Sequence, residues 1–254
     1  MGLPEWSAAT WIAVVLSAFC VGISKTGVPG LGSVAVPLMA MAMPAKVSVG
    51  ALLPILIIGD IFAVAWYRRH AVWSHLVRLI PWAVVGIVAG FAVMGRISDK
   101  RLKLWIGFIV LALSLLRAAK ADQADDSRLP ASVSFAAFMG ILAGFTTMLA
   151  NAAGPIMVLY LLAMRLPKEG FLGTAAWYFL LMNCFKVPFS VRLGILDGPA
   201  ALAAVVCAPA VAAGAICGAA AARRMSDRFF ASTAHALAAA AALYLVVSAL
   251  RQPG

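Results

Sequence analysis

The residues best suited to chemistry lie in the stretch Gly22-Ile-Ser-Lys-Thr-Gly-Val-Pro-Gly-Leu-Gly-Ser33. Ser24, Thr26 and Ser33 offer hydroxyl donors, and Lys25 a full positive charge. Gly27, Gly30 and Gly32 let a ligand approach the backbone closely. A short helix is expected to begin just after this stretch, and its free N–H groups and positive dipole end suit an anion. A second stretch, Gly144-Phe-Thr-Thr-Met-Leu-Ala-Asn-Ala-Ala-Gly-Pro155, repeats the design with Thr146, Thr147, Asn151 and Gly154. There Asn151 is expected to cap the start of the following helix, with Pro155 in its first turn. Gly22 lines up with Gly144 and Gly32 with Gly154, both at an offset of 122 residues. Taken singly, each hydroxyl is better explained as satisfying a broken backbone. The two stretches together point to a binding site for a small oxyanion. Lys25 has two readings from its position: a ligand to that anion, or a helix-end lysine whose stem reaches the membrane surface.

Three further residues belong with these. Asp60 is the acid lying well inside an apolar segment, and an offset of 123, which aligns Gly50 with Gly173, places Asn183 opposite it. Lys186 follows Asn183 by three residues, on the same helix face. Asp60 is expected to pair with Lys25 or Lys186, the alternative being a proton-carrying carboxylate. Asp60, Asn183 and Lys186 therefore form a candidate ion-pair or proton site.

The elements that position these residues are membrane helices. The 254 residues are 64% hydrophobic and 11% charged, with mean hydropathy +1.01. Soluble domains carry about 25% charged residues. Several apolar runs reach the ~18–22 residues that cross a bilayer. Segments are expected at 8–23, 49–67, 77–94, 102–116, 131–149, 171–187, 199–222 and 229–250, with short helices at 33–43 and 155–164 after the two breaks. Irregular backbone at membrane depth survives only when buried in protein or facing a wet cavity. The formal charge of +11 sits in short loops between apolar runs, where headgroup contact and topology explain it without nucleic acid. The N-terminus lacks a basic region and a cleavage site, so the first run reads as a retained helix. Cys20, Cys184, Cys207 and Cys217 have neither metal-ligand spacing nor a disulfide framework, and read as small core residues.

The chain divides into residues 1–119, a hydrophilic linker at 120–130, and residues 131–254. Pro81, Gly86, Gly90, Arg96, Ser98 and Asp99 recur 128 residues later as Pro209, Gly214, Gly218, Arg224, Ser226 and Asp227. That ordered recurrence indicates an internal duplication. The second arm after each break is too short to cross a bilayer, which favours re-entrant hairpins and hence inverted repeats over parallel ones. The fold expected is all-α: a polytopic helical membrane protein built of two halves, each with a broken helix.

An enzyme reading using Ser24 and Lys25 is conceivable but lacks a third member. No glycine precedes Lys25 as a phosphate-binding loop requires. His70 and His75 share a loop and His235 stands alone, so no metal site or cofactor is expected.

The motifs Gly22-x-Ser-Lys-Thr-Gly-x-Pro-Gly-x-Gly with Val36-Pro37, Gly144-Phe-Thr-Thr, Asn151-x-x-Gly-Pro155 and Tyr160-Leu-Leu resemble the TauE/SafE sulfite-exporter family, also called the 4-toluene sulfonate uptake permeases. Gly173-Thr174 and Asn183-x-x-Lys186-x-Pro188 fit the same pattern, and the resemblance covers nearly the whole chain. Many members carry consecutive glycines at the first break, where this chain has Lys25-Thr26-Gly27. The resemblance implies a multi-pass secondary transporter, an exporter of sulfite, a sulfonate or a related oxyanion, in a bacterial inner membrane. An intramembrane enzyme and a passive anion channel are the alternatives.

Overall fold

A computed structural model describes residues 2–29, 31–94, 108 and 132–251. The expected segment at 102–116 and the linker at 120–130 lie outside the described residues, apart from residue 108. The described residues form helices and no strand. Among the described residues, four helices are long and apolar enough to cross a membrane, or five if one bent pair counts as a single span.

Helices α1 (Ala8–Thr26) and α2 (Gly32–Ala42) form an antiparallel hairpin. Thr10 Oγ1 donates to the Ala42 carbonyl and Ser17 Oγ to the Ala35 carbonyl, each at 3.4 Å, so α2 returns to the end from which α1 set out. With 11 residues, α2 is about 16 Å long, roughly half a hydrocarbon core. Helix α3 (Ala45–Tyr67) then runs in the same sense as α1, and its Tyr67 hydroxyl donates to the Thr26 carbonyl at 2.7 Å. A 3-10 turn (Arg68–His70) leads into α4 (Trp73–Val93), which runs back.

Helix α5 (Val133–Ala150) lies parallel to α4, with Gly140 against Leu79, Gly86 against Ile141 and Gly90 against Met148. Helix α6 (Gly154–Ala163) folds back on α5, stacking Tyr160 on Phe135 with ring centres 5.9 Å apart. Its residues Ile156 to Leu161 are buried on every side, as an all-apolar helix must be. Helix α7 (Lys168–Arg192) is antiparallel to α3: Gly173 meets His70, Asn183 meets Asp60, and Gly50 meets Ile195. Helices α8 (Gly198–Val206) and α9 (Ala208–Arg224) follow, and α10 (Asp227–Arg251) ends the described chain. Helix α9 lies parallel to α1, with Gly214 on the Phe19 carbonyl and Gly218 on the Ile23 carbonyl.

The single segment expected at 199–222 is two helices bent by 50° at Cys207. Pro209, in the first turn of α9, has no N–H to continue the ladder from α8. Apolar side chains outside this framework stay exposed, Ile12, Val77, Val205 and Ile216 by 60–67%. In lipid such faces need no cover, and helices associate instead through small residues that let backbones approach. The α1–α9 and α4–α5 seams are built that way, a Cβ on Gly22, Gly86, Gly144 or Gly214 falling inside a carbonyl of the facing helix. Of the cysteines, Cys207 is buried, but Cys184 and Cys217 are exposed, correcting their reading as core residues; both sit on outward helix faces that the apolar composition does not distinguish.

Candidate functional site

Both breaks open onto one cavity. Its wall includes Ser24, Lys25, Gly32, Thr147, Asn151, Gly154 and Asn183, so seven of the polar and glycine positions singled out in the sequence are brought together. The rest is apolar, with Leu56 from α3, Met157 and Val158 from α6, and Phe171 and Phe179 from α7. The cavity holds about 790 Å³ of empty space, mouth included.

Lys25 occupies the last turn of α1, where the helix dipole favours a cation. The helix runs three residues beyond the expected end at 23, because Gly22 packs on α9 rather than breaking the ladder. Lys25 turns into the helix bundle. Its Nζ lies 2.7 Å from Asp60 Oδ1 and 3.9 Å over the Phe179 ring centre, and its side chain is 11% exposed. The partner of Asp60 is thus Lys25. Asp60 is fully buried and also accepts from Asn183 Nδ2 at 2.7 Å.

Lys186 lies one side chain behind the cavity wall. Its three N–H groups are shared among four acceptors, Asn151 Oδ1 at 2.6 Å, the Thr147 carbonyl at 3.0 Å, Thr147 Oγ1 at 3.1 Å and Asn183 Oδ1 at 3.3 Å. Asn183 therefore bridges the carboxylate of Asp60 and the ammonium of Lys186. Asn151 adopts a left-handed backbone, φ 52°, that closes the C-terminal end of α5. This corrects its expected place as cap of the next helix. Asparagine tolerates that conformation, and its side chain is occupied by Lys186 and by donation to the Val49 carbonyl at 3.0 Å. The N-terminal turns of α2 and α6 have no side-chain cap, and Gly32 and Gly154 bring both to the cavity. Pro155 lies in the first turn of α6 as expected.

Three candidate residues turn away from the cavity. Thr26 Oγ1 is 2.7 Å from the Ala215 carbonyl and 3.1 Å from that of Gly22, inside the α1–α9 seam. Gly27 is pressed against the Gly218 backbone. Thr146 donates to the Ala143 carbonyl of its own helix at 3.2 Å. Gly30 lies outside the described residues. Phe179, absent from the sequence reading, stands one helical turn before Asn183, and that spacing could have found it.

The arrangement can hold an anion between an ammonium and two uncapped helix starts, in a chamber with few other polar groups. A family model for the sulfite exporter TauE/SafE matches residues 14–245. No curated protein and no solved structure matches this chain. With nearly its whole length covered, the chain belongs to the TauE/SafE sulfite exporter family, a family of membrane transporters.

Proposed function

We propose that this protein is a secondary transporter that exports a small oxyanion, sulfite or an organosulfonate, across the cell inner membrane. The observation that carries the reading is the convergence of both breaks, with Lys25, on one cavity. Transporters with discontinuous helices bind anionic groups at such half-helix starts. Ser24, Lys25, Gly32, Thr147, Asn151 and Gly154 are the residues assigned to the anion. Asp60, Asn183 and Lys186 support them from behind.

An inverted duplication belongs to the same reading. Helix packing supports it. The α1–α2 hairpin opens at one end of α3 and the α5–α6 hairpin at the other. Equivalent residues also make reciprocal contacts: Gly86 meets the Ile141 carbonyl as Gly214 meets that of Phe19, and Gly144 meets Ala83 as Gly22 meets Val211. Asp60 and Asn183, which the offset pairs, touch each other, as residues beside a two-fold axis would.

The enzyme reading gains nothing from the geometry, since the Lys25 ammonium is engaged by Asp60 and is not poised as a base for Ser24. The test is uptake of labelled sulfite into proteoliposomes, with unlabelled methanesulfonate as competitor. Uptake that is saturable and accelerated by anion on the opposite side supports a carrier. Flux without such counterflow identifies a channel, and no flux of any sulfur oxyanion overturns the proposal.

A further inference from the structure

The charge of the transported anion follows from the charges buried at the site. Among the described residues, Asp60 and Lys186 are the buried charged side chains, and Lys25 is 11% exposed. All three belong to one run of contacts. Lys25 Nζ is 2.7 Å from Asp60 Oδ1, Asn183 Nδ2 donates to Asp60 Oδ2 at 2.7 Å, and Lys186 Nζ donates to Asn183 Oδ1 at 3.3 Å. The other acceptors of Lys186, on Thr147 and Asn151, are neutral. An ammonium has three donors and no acceptor, and Lys186 is surrounded by oxygen atoms, the setting of a protonated lysine.

Two ammonium groups therefore share one carboxylate. Asp60 cancels Lys25, and the charge of Lys186 is left over. Thr147, Asn151 and Asn183, which hold Lys186, also line the cavity, so an anion there lies one side chain from the surplus charge. A singly charged anion brings the buried cluster to neutrality. A doubly charged one overshoots it, leaving a negative charge unmatched where charge is weakly screened.

We infer that the site selects a singly charged oxyanion, and that Asp60 sets this selectivity by cancelling Lys25. The inference rests on the reading of the cavity as an anion site. Asn183 makes it testable by near-isosteric changes. Asp60→Asn raises the surplus to two charges, Asn183→Asp lowers it to zero, and the double exchange restores one charge with the same two side-chain types in contact.

The experiment is equilibrium binding of methanesulfonate, a fixed monoanion, and sulfate, a dianion at neutral pH, to the purified full-length protein and these three variants. The wild-type protein is expected to bind methanesulfonate at least about tenfold more tightly than sulfate. Asp60→Asn reverses that order, Asn183→Asp weakens methanesulfonate at least about tenfold, and the double exchange recovers the wild-type order. Equal wild-type affinity for the two anions, or an unchanged preference in folded Asp60→Asn, overturns the inference while leaving the transport reading intact. If the single variants do not fold, the wild-type order and the double exchange decide. Binding of neither anion, together with no sulfite flux in proteoliposomes, removes the transport reading itself.

Discussion

The Lys25–Asp60 pair makes a quantitative prediction about stability. Lys25→Met removes the ammonium 2.7 Å from Asp60 and leaves a fully buried carboxylate held only by the Asn183 amide. Breaking a buried pair from one side costs about 3–5 kcal/mol. Asp60→Asn is milder. Lys25 then keeps its place over Phe179 and lies on the cavity wall, where water or an anion can reach it. A loss of about 1.5–3 kcal/mol is expected there, the range for a charged hydrogen bond. Lys25→Met with Asp60→Asn removes both charges, so no orphan remains and the double variant should lose less than Lys25→Met alone. The coupling energy should be about 2–4 kcal/mol, read from denaturant unfolding of the four proteins in mixed micelles. Losses that add to within about 0.5 kcal/mol would show the two groups to be independent and refute the pair. The double variant also isolates the role of Lys25 in binding. It should bind sulfite more weakly by about 1.5–3 kcal/mol, and unchanged affinity would make Lys25 purely structural.

Gly27→Ala and Gly32→Ala should separate packing from binding. A Cβ at position 27 falls inside the Gly218 backbone and forces the α1–α9 seam apart, so folded yield should drop with a cost of about 1–3 kcal/mol or more. At position 32 the Cβ meets the movable Ser24 Oγ at 2.9 Å, so the protein should fold normally while its affinity for sulfite falls; equal yields for the two variants would count against this. Lys25→Arg should also impair sulfite binding, because a planar guanidinium cannot keep both the Asp60 contact and the place over Phe179, and a full-affinity arginine variant would argue otherwise. For topology, cysteines at exposed Lys46, in the first turn of α3, and exposed Glu169, in the first turn of α7, should react with an impermeant maleimide from opposite faces when the native cysteines are replaced. Labelling from one face would exclude the inverted arrangement.

The two breaks were legible because glycine, proline and hydroxyl residues interrupt apolar runs that have no other reason to carry them. The return of α2 was legible from length alone, since 11 residues cannot cross a bilayer. What the pattern could not tell was which side of a helix end faces the ligand. Ser24 and Lys25 are on the cavity wall, whereas Thr26 and Gly27 enter the α1–α9 seam. That choice depends on α9, more than 180 residues away in the chain. The sequence does not assign Asn151 to one helix, because its side chain suits either a cap or a left-handed turn. Only the position of Lys186 and the Val49 carbonyl decides between them. The bend at Cys207 is not legible from Pro209 alone, because proline is tolerated inside membrane helices and α3, α4 and α7 carry Pro54, Pro81 and Pro188 without ending.

The seams constrain how such a molecule can alternate between two openings. Helix α1 is locked to α9, and α4 to α5, by glycines that leave no space for sliding. Each seam joins an early helix to a late one, so α1–α4 cannot rock as a body against α5–α10 without tearing both. The α3–α7 crossing also has close glycines, Gly50 and Gly173, but only at its two ends. Its centre is the polar contact between Asp60 and Asn183, flanked by Lys25 on one side and Lys186 on the other. Hydrogen bonds of this kind can exchange partners when an anion arrives, whereas a glycine seam has no alternative packing of equal density. Relative motion is therefore expected to pivot at Asp60–Asn183, with α1–α9 and α4–α5 carried as rigid pairs. Cysteine cross-links across either seam, placed at positions other than its glycines, should leave transport intact. A cross-link joining α3 to α7 at positions other than 60 and 183 should stop it and its reduction should restore it, and transport surviving that link would place the pivot elsewhere.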